Sequence, residues 1–521
     1  MTLNQEEVQI TTTTAAKSSG DTKPKGRYPF QVFFIIANEF CERFSFYGMK
    51  AVLSLYLTKR LMFSESRAAS VQHTFNAGAY FFPLMGSILS DNFIGSFNTI
   101  LYLSIIYCIG NLAMAITAIP GVTGEPPHWW GAYLGLFLIA VGTGGIKPCV
   151  SSFGGDQFSE DQAEERSSFF SVFYFAINAG ALLSMYATPM LRQMSCFGQD
   201  SCYFYAFGAP AILMIVALLV FVSGSWMYKK QKVGDSTVSR FFGLLTTSIY
   251  RKITRFEPHT KKLPGQDSWL YVSRDKYDAT FIEDSISVLN AFLVLLPIAC
   301  FWASYDQMGT TWVYQAELMK HKVSFFGYKW TILSDQMGLI NSIFVLCMIP
   351  LFDKIIYRLF PMSSLTKIVI GCFVAVIGSA SSALLQFYIG AMGTFESSAS
   401  SPNTLVCTAG CMHILWQSVP YFIMTCAEIL ISITGLEVAY AEAPKTMKSV
   451  CTALYLLTVS AGNALYVAIN QVNPVGFFKP KDEMAWNFVL WTGILFISAV
   501  IQIYLSSRHK SRVMETTENK Q

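Results

Sequence analysis

Apolar stretches of about twenty residues, each long enough for a helix to cross roughly 30 Å of hydrocarbon, recur along this chain. They fall at 30–57, 70–91, 97–119, 130–153, 166–190 and 203–228, and again at 286–315, 331–357, 363–392, 412–440, 446–470 and 484–507. A polar stretch at 229–285 separates the two sets. The pattern predicts an all-α polytopic membrane protein with twelve transmembrane helices. Two six-helix halves, 30–228 and 286–507, are flanked by a polar N-terminus (1–29) and a tail (508–521). The first three connections are short, so neighbouring helices run antiparallel. Two such halves around a midplane cavity are an architecture that secondary transporters use.

Composition agrees. The chain is 53% hydrophobic and 13% charged, against about 25% charged in soluble domains, and its mean hydropathy is +0.41. A net charge of +4 is too small to call for a nucleic-acid partner. Its distribution sets orientation instead. Lys229, Lys230, Lys232, Arg251, Lys252, Arg255, Lys261 and Lys262 crowd the central connection, and Arg508, Lys510 and Arg512 follow the last span. The positive-inside rule puts both in the cytoplasm, and with them both termini. The acidic loop 155–166 and the basic segment around Lys320, Lys322 and Lys329 pull the other way. No short apolar core precedes a small-residue cleavage site, so no cleaved signal peptide is expected. Within the central connection, RFFGLLTTSIY is amphipathic; it suits a helix on the membrane surface or one packed beneath the bundle. Of twelve cysteines, eight lie in apolar runs as small fillers. Cys196 with Cys202, and Cys407 with Cys411, sit in polar connections that this orientation places outside. Disulfides and free thiols both remain open for them. No GxxxxGK[ST] and no HExxH occurs, so neither ATP use nor hydrolytic chemistry is expected, and no metal or cofactor is called for.

The chemistry lies where the apolar pattern breaks. Glu39, Glu42, Arg43 and Lys50 interrupt the first span, and at 100° per residue positions 39, 42, 43, 46 and 50 share one helix face. Deeper charges follow: His73 with Tyr80, Lys147, Asp306 just after Trp302, and Glu437. Ionisable groups at membrane depth are costly and face polar cavities or substrate paths. A plain structural reading pairs Glu39 with Arg43 at i,i+4 and leaves His73 a satisfied buried ring, but Glu42, Lys50, Lys147 and Glu437 still lack partners. The first half contributes cations, the second Asp306 and Glu437. Such a cavity suits a zwitterion with separated ends, and one proton could break a cross-half ion pair and bias which side opens.

These residues resemble the proton-coupled oligopeptide transporter family of the major facilitator superfamily. The family's Glu-x-x-Glu-Arg-Phe-x-Tyr-Tyr-Gly reads here as Glu39, Glu42, Arg43, Phe44, Phe46, Tyr47 and Gly48, and its FYxxIN as Phe173, Tyr174, Ile177 and Asn178. GTGGIKPCVSSFGGDQF and the QHTF around His73 are similar to the animal-type members. The resemblance implies the major facilitator fold and a symporter that moves di- and tripeptides with protons by alternating access. The driving force is the proton gradient, and the protein is a monomer in the plasma membrane. It implies proton coupling at Glu39, Glu42, Arg43, His73 and Glu437. Substrate contacts are implied at Tyr47, Lys50, Tyr80, Lys147, Asn178, Trp302, Asn341 and Glu437, and gates at Asp91, Asp306 and Asp353. Lys147 and Glu437 would form the cross-half pair. His73, with an ordinary pKa near 6.5, suits proton coupling.

The chain departs from the pattern in several places. Phe46 lacks the hydroxyl of the family's first tyrosine. Lys50 replaces an arginine and its bidentate fork. Asn290 stands where animal members have an arginine, leaving Asp353 without that partner. Asn98 replaces a basic residue in the loop motif that begins at Gly86. The connection 393–411 is short where animal relatives carry a large extracellular domain. The alternatives are a same-fold carrier of histidine, nitrate or another small solute, or a non-transporting peptide sensor.

Overall fold

The computed structural model describes residues 28–159, 161–230, 233–234, 236–255, 268–325, 328–398, 401–441, 443–444, 446–478 and 480–518. Lys232, Lys261 and Lys262 of the basic connection lie outside them, as does nearly all of the N-terminal stretch.

The first half consists of α1 (Val32–Leu55), α2 (Glu65–Leu89), α3 (Gly95–Thr117), α4 (Trp129–Gly155), α5 (Ala163–Arg192) and α6 (Tyr203–Ser223). A linker helix, α7 (Thr237–Ile253), leads to the second half: α8 (Ala279–Leu295), α9 (Ile298–Tyr305), α10 (Thr311–Glu317), α11 (Met337–Leu351), α12 (Tyr357–Leu359), α13 (Ser364–Met392), α14 (Ser418–Glu428), α15 (Thr434–Ala441), α16 (Lys448–Val472) and α17 (Glu483–Glu518). Serine caps start α2, α7 and α13: Ser64, Ser236 and Ser363 each accept from the backbone N–H three residues on, satisfying an orphan donor of the first turn.

Nine described stretches are long and apolar enough to cross a membrane, or ten when the pair bent by 49° at Pro297 counts as one. One of the nine, Glu65–Thr117, runs through both α2 and α3. α1 falls short only because of its four ionisable residues. Resolved this way, the twelve spans read from the sequence are the ones that form, in a major facilitator fold. The boundaries differ where polar residues are helical: α2 starts at Glu65, and α17 continues past residue 507. The span 286–315 breaks at Pro297, which cannot donate to the helix ladder.

Each half has its own apolar core. One is built almost wholly from α1 to α6 around Phe46, Tyr56, Tyr107, Phe153 and Phe207. The other lies around Phe301, Trp312, Tyr421 and Phe488. α1 packs on α5 and α6, α3 on α4, α13 on α14 and α17; between the halves the largest contact is α2 on α16. Close approach is set by small residues. A Cβ on Gly180 of α5 would lie 2.6 Å from the Phe40 carbonyl oxygen of α1, and one on Gly462 of α16 would lie 2.1 Å from that of Ala299.

α7 is packed beneath the bundle. Val238 and Phe241 join the second core, and Leu244 meets Leu270, Tyr271 and Ile282. Ile249, Tyr250 and Ile253 stay exposed on its other side. Both loop cysteine pairs are disulfides, Cys196–Cys202 and Cys407–Cys411. The second ties the end of the strand Ser401–Ala409 to the turn that follows it; this strand pairs with Thr394–Ser398 in a hairpin within the connection between α13 and α14.

Candidate functional site

The polar stripe of α1 is buried, and Arg43 lies within a few ångströms of both of its carboxylates. Arg43 Nε donates to Glu39 Oε1 at 2.6 Å and lies 3.1 Å from Glu42 Oε2. The other Glu42 oxygen accepts from Thr143 of α4 at 2.7 Å. Two carboxylates thus share one guanidinium. With both ionised, the group carries one net negative charge in a dry setting, and one added proton makes it neutral.

Lys147, also on α4, sits over the rings of Phe46 (4.5 Å) and Tyr80 (4.3 Å). Aromatic faces attract a cation through their quadrupole, so the missing hydroxyl of Phe46 leaves a ring that still holds the ammonium. Among the described residues no carboxylate lies within ion-pair distance of Lys147. The expected Lys147–Glu437 pair does not form.

The ion pair across the halves at this level is Lys50–Asp306, at 3.1 Å. It heads a chain of contacts. Asp306 Oδ2 accepts from Asn463 Nδ2 at 2.7 Å, Asn463 Oδ1 faces His73 Nδ1 at 2.8 Å, and His73 Nε2 lies 3.3 Å from Thr310 Oγ1. With the Asn463 amide nitrogen on Asp306, its oxygen can only accept, so His73 Nδ1 carries a proton. The ring stacks on Tyr466 at 3.6 Å, and Gln72 donates to the Gly309 carbonyl at 2.9 Å. Asp306, expected as a gate, therefore lies inside this network. The turn Asp306–Gly309 after α9 presents it there, and the Gly462–Ala299 contact seats Asn463 beside it.

The buried glutamate of the second half is Glu428, not Glu437. Glu428 ends α14, directly before a π-helical turn at Ile429–Ile433. Asn341 Nδ2 donates to Glu428 Oε2 at 3.4 Å and to Tyr305 Oη at 3.1 Å, while Thr425 donates to Asn341 Oδ1 at 2.6 Å. Glu437 lies nine residues on, about 13 Å along a helix. It is exposed and accepts from Ser364 at 3.5 Å. The apolar run containing both glutamates extends to the helix end, so hydropathy by itself does not tell them apart.

Tyr47, Tyr80 and Trp302 line both chambers of one central cavity. One chamber adds Lys50, Asp306 and Asn341; the other adds Glu39, Arg43 and Lys147. Asn178 is not among the lining residues. Its amide donates to the Tyr174 carbonyl one turn back at 2.8 Å, and Tyr174 and Ile177 take its place on the wall. Two ion pairs close one end of the cavity between the halves. Arg192 of α5 meets Asp335 at 2.7 and 3.1 Å, and Lys59 meets Glu317, which also accepts from Ser334. Sequence reading missed all four. At the other end Asp91 is exposed and its carbonyl accepts from Gly234 N–H at 2.9 Å. Asp353 is exposed in the turn Phe352–Ile356.

The family model described as the POT family matches residues 97–476. Solute carrier family 15 member 2 of Rattus norvegicus is 43% identical over 371 residues, covering 70% of this chain and 50% of that protein. Peptide transporter family 2 of Caenorhabditis elegans is 42% identical over 384 residues, covering 70% and 48%. The chain thus spans about half the length of the curated relatives it matches. The crystal structure of the POT family transporter PepTSo superposes with a TM-score of 0.74 at 27% identity, over 93% of this chain and 99% of that one. That of an auto-inhibited POT family peptide transporter gives 0.74 at 25% identity, over 92% and 97%.

Proposed function

The chain belongs to the POT family, and on that premise we propose that it moves di- and tripeptides together with protons by alternating access. One observation carries this reading: Arg43, shared by the Glu39 and Glu42 carboxylates, lines one chamber of the cavity with Glu39 and Lys147, while Asn341, which donates to Glu428, lines the other. The free ammonium of Lys147 takes the peptide carboxylate. Glu428 takes the peptide amino group, the role expected of Glu437, and Asn341 reads the peptide bond between them. These contacts engage only backbone groups, so many side chains are accepted. Glu39 and Glu42 take the proton and His73 contributes. Protonation halves the negative charge that holds Arg43 and so frees its guanidinium toward the cavity it lines. Asp91 and Asp353 serve the gates on the side away from Arg192. The protein works as a monomer in the plasma membrane, with its termini and α7 in the cytoplasm and both disulfides outside.

Reconstitution in liposomes with an inward proton gradient tests this. Glu42→Gln abolishes accumulation of labelled dipeptide while exchange between equal pools persists. Accumulation that survived the substitution would overturn the coupling role.

A further inference from the structure

We propose that a crevice on the outer surface, between α2, α4 and α16, is a binding site for an anionic phospholipid. The crevice has a volume of roughly 790 Å³ and is separate from the central cavity. Its mouth is polar, formed by Arg67 and Ser70 of α2 and Asn470 of α16; its walls are apolar, with Phe75 and Phe82 of α2 and Phe137 of α4.

Three observations select the ligand. Arg67 is exposed at the mouth, with its guanidinium 4.0 Å over the Phe63 ring and one N–H directed to the Tyr133 hydroxyl at 3.4 Å. Among the described residues it has no carboxylate partner. Its remaining donors suit a phosphate, which guanidinium binds with charge-assisted hydrogen bonds. Depth is marked independently. Trp129 and Trp130 are about half exposed at the start of α4, and Tyr133 lies 5.1 Å from Trp129. Such aromatics sit at headgroup level, which places Arg67 in the phosphate layer. From Arg67 to Phe82 the groove follows α2 for about 22 Å at 1.5 Å per residue. One leaflet's hydrocarbon is only about 15 Å deep, so the groove takes a whole acyl chain.

The site also joins the two halves. Asn470 donates to the Ser66 carbonyl at 2.7 Å and to Ser70 Oγ at 2.6 Å. A lipid lodged there contacts α2 and α16 together and favours the arrangement in which they touch.

The test uses the full chain in phosphatidylcholine nanodiscs containing a phosphatidylglycerol with a photoactivatable acyl chain, followed by peptide mapping. Wild type is labelled on α2 and α4. Arg67→Gln lowers this labelling about tenfold, the worth of one charge-assisted hydrogen bond. Thr74→Trp, an exposed groove position, lowers it equally with the charge retained. The melting temperature reports that both variants fold. Equal labelling in all three proteins, or none in wild type, overturns the site. Equal labelling by a phosphatidylcholine or sterol probe overturns the choice of an anionic lipid.

Discussion

Lys50 and Asp306 illustrate how a buried charge is tolerated. Their sequence separation is 256 residues, and each is well shielded from solvent. Removing one member of a buried pair strands the other and costs about 3–5 kcal/mol, whereas replacing both by neutral groups is often nearly free. Asp306→Asn should therefore destabilise the protein by an amount in that range, and adding Lys50→Met should recover most of it. Thermal unfolding of the single and double variants in detergent reads this out; a double variant no more stable than the single one would refute the pairing. Glu428 and Glu437 provide a second contrast. Glu428→Gln removes the carboxylate that accepts from Asn341 on the cavity wall and should weaken dipeptide affinity about tenfold or more, since a hydrogen bond to a charged group contributes about 1.5–3 kcal/mol. Glu437→Gln, on an exposed residue, should stay within about twofold. Competition uptake measures both, and the reverse order would return the role to Glu437.

At the scale of elements, α7 shows how a linker is held. Arg251 Nη2 donates to Asp275 Oδ2 at 2.9 Å, Nη1 donates to Asp275 Oδ1 as well, and the Val272 carbonyl accepts at 3.0 Å. The hydrogen bonds from Arg251 hold the Asp275 carboxyl below the usual carboxylate range. A depressed carboxylate stabilises the folded state above its unfolded value near pH 4, and that contribution is lost as pH falls through the lowered folded value. Hydrogen-exchange protection of residues 268–276, taken relative to the unfolded chain at the same pH, should thus be high at neutral pH and fall below about pH 4. Asp275→Asn should show the low protection at every pH; protection unchanged in the variant would show that apolar packing alone holds the linker. The glycine contacts work at the same scale, since a side chain at Gly462 would push α16 from α9 and move Asn463 off Asp306.

For the whole molecule, each half has a core built mainly from its own helices, with Tyr314, Tyr466 and Trp491 crossing over to the first, and ion pairs bridge part of the seam. That division lets the halves move as units, because a seam of ion pairs can reopen to water where a shared apolar core could not. Arg192–Asp335 and Lys59–Glu317 hold one end shut. Arg192→Gln leaves Asp335 buried and unpaired, so the closed end should lose about 3–5 kcal/mol. A full reversal from 1:99 to 99:1 takes about 5.5 kcal/mol, so a large but incomplete shift toward opening is expected. Spin labels at Met194 and Trp330, both exposed near that end, should report a longer distance population in the variant. An unchanged distribution would mean that α2 against α16 carries the closure.

The apolar runs by themselves determined the twelve spans and the two halves, because crossing hydrocarbon requires length and hydropathy that one stretch supplies alone. The spacing of Glu39, Glu42, Arg43 and Lys50 likewise set their common face, because helix periodicity is local. Only the tertiary structure decided the partners. Lys50 meets Asp306, Lys147 rests on Phe46 and Tyr80, His73 faces Asn463, and Glu428, not Glu437, is the one buried beside Asn341. A buried charge is stabilised by whatever lies within a few ångströms of it, and in a twelve-helix bundle those neighbours come from segments hundreds of residues apart.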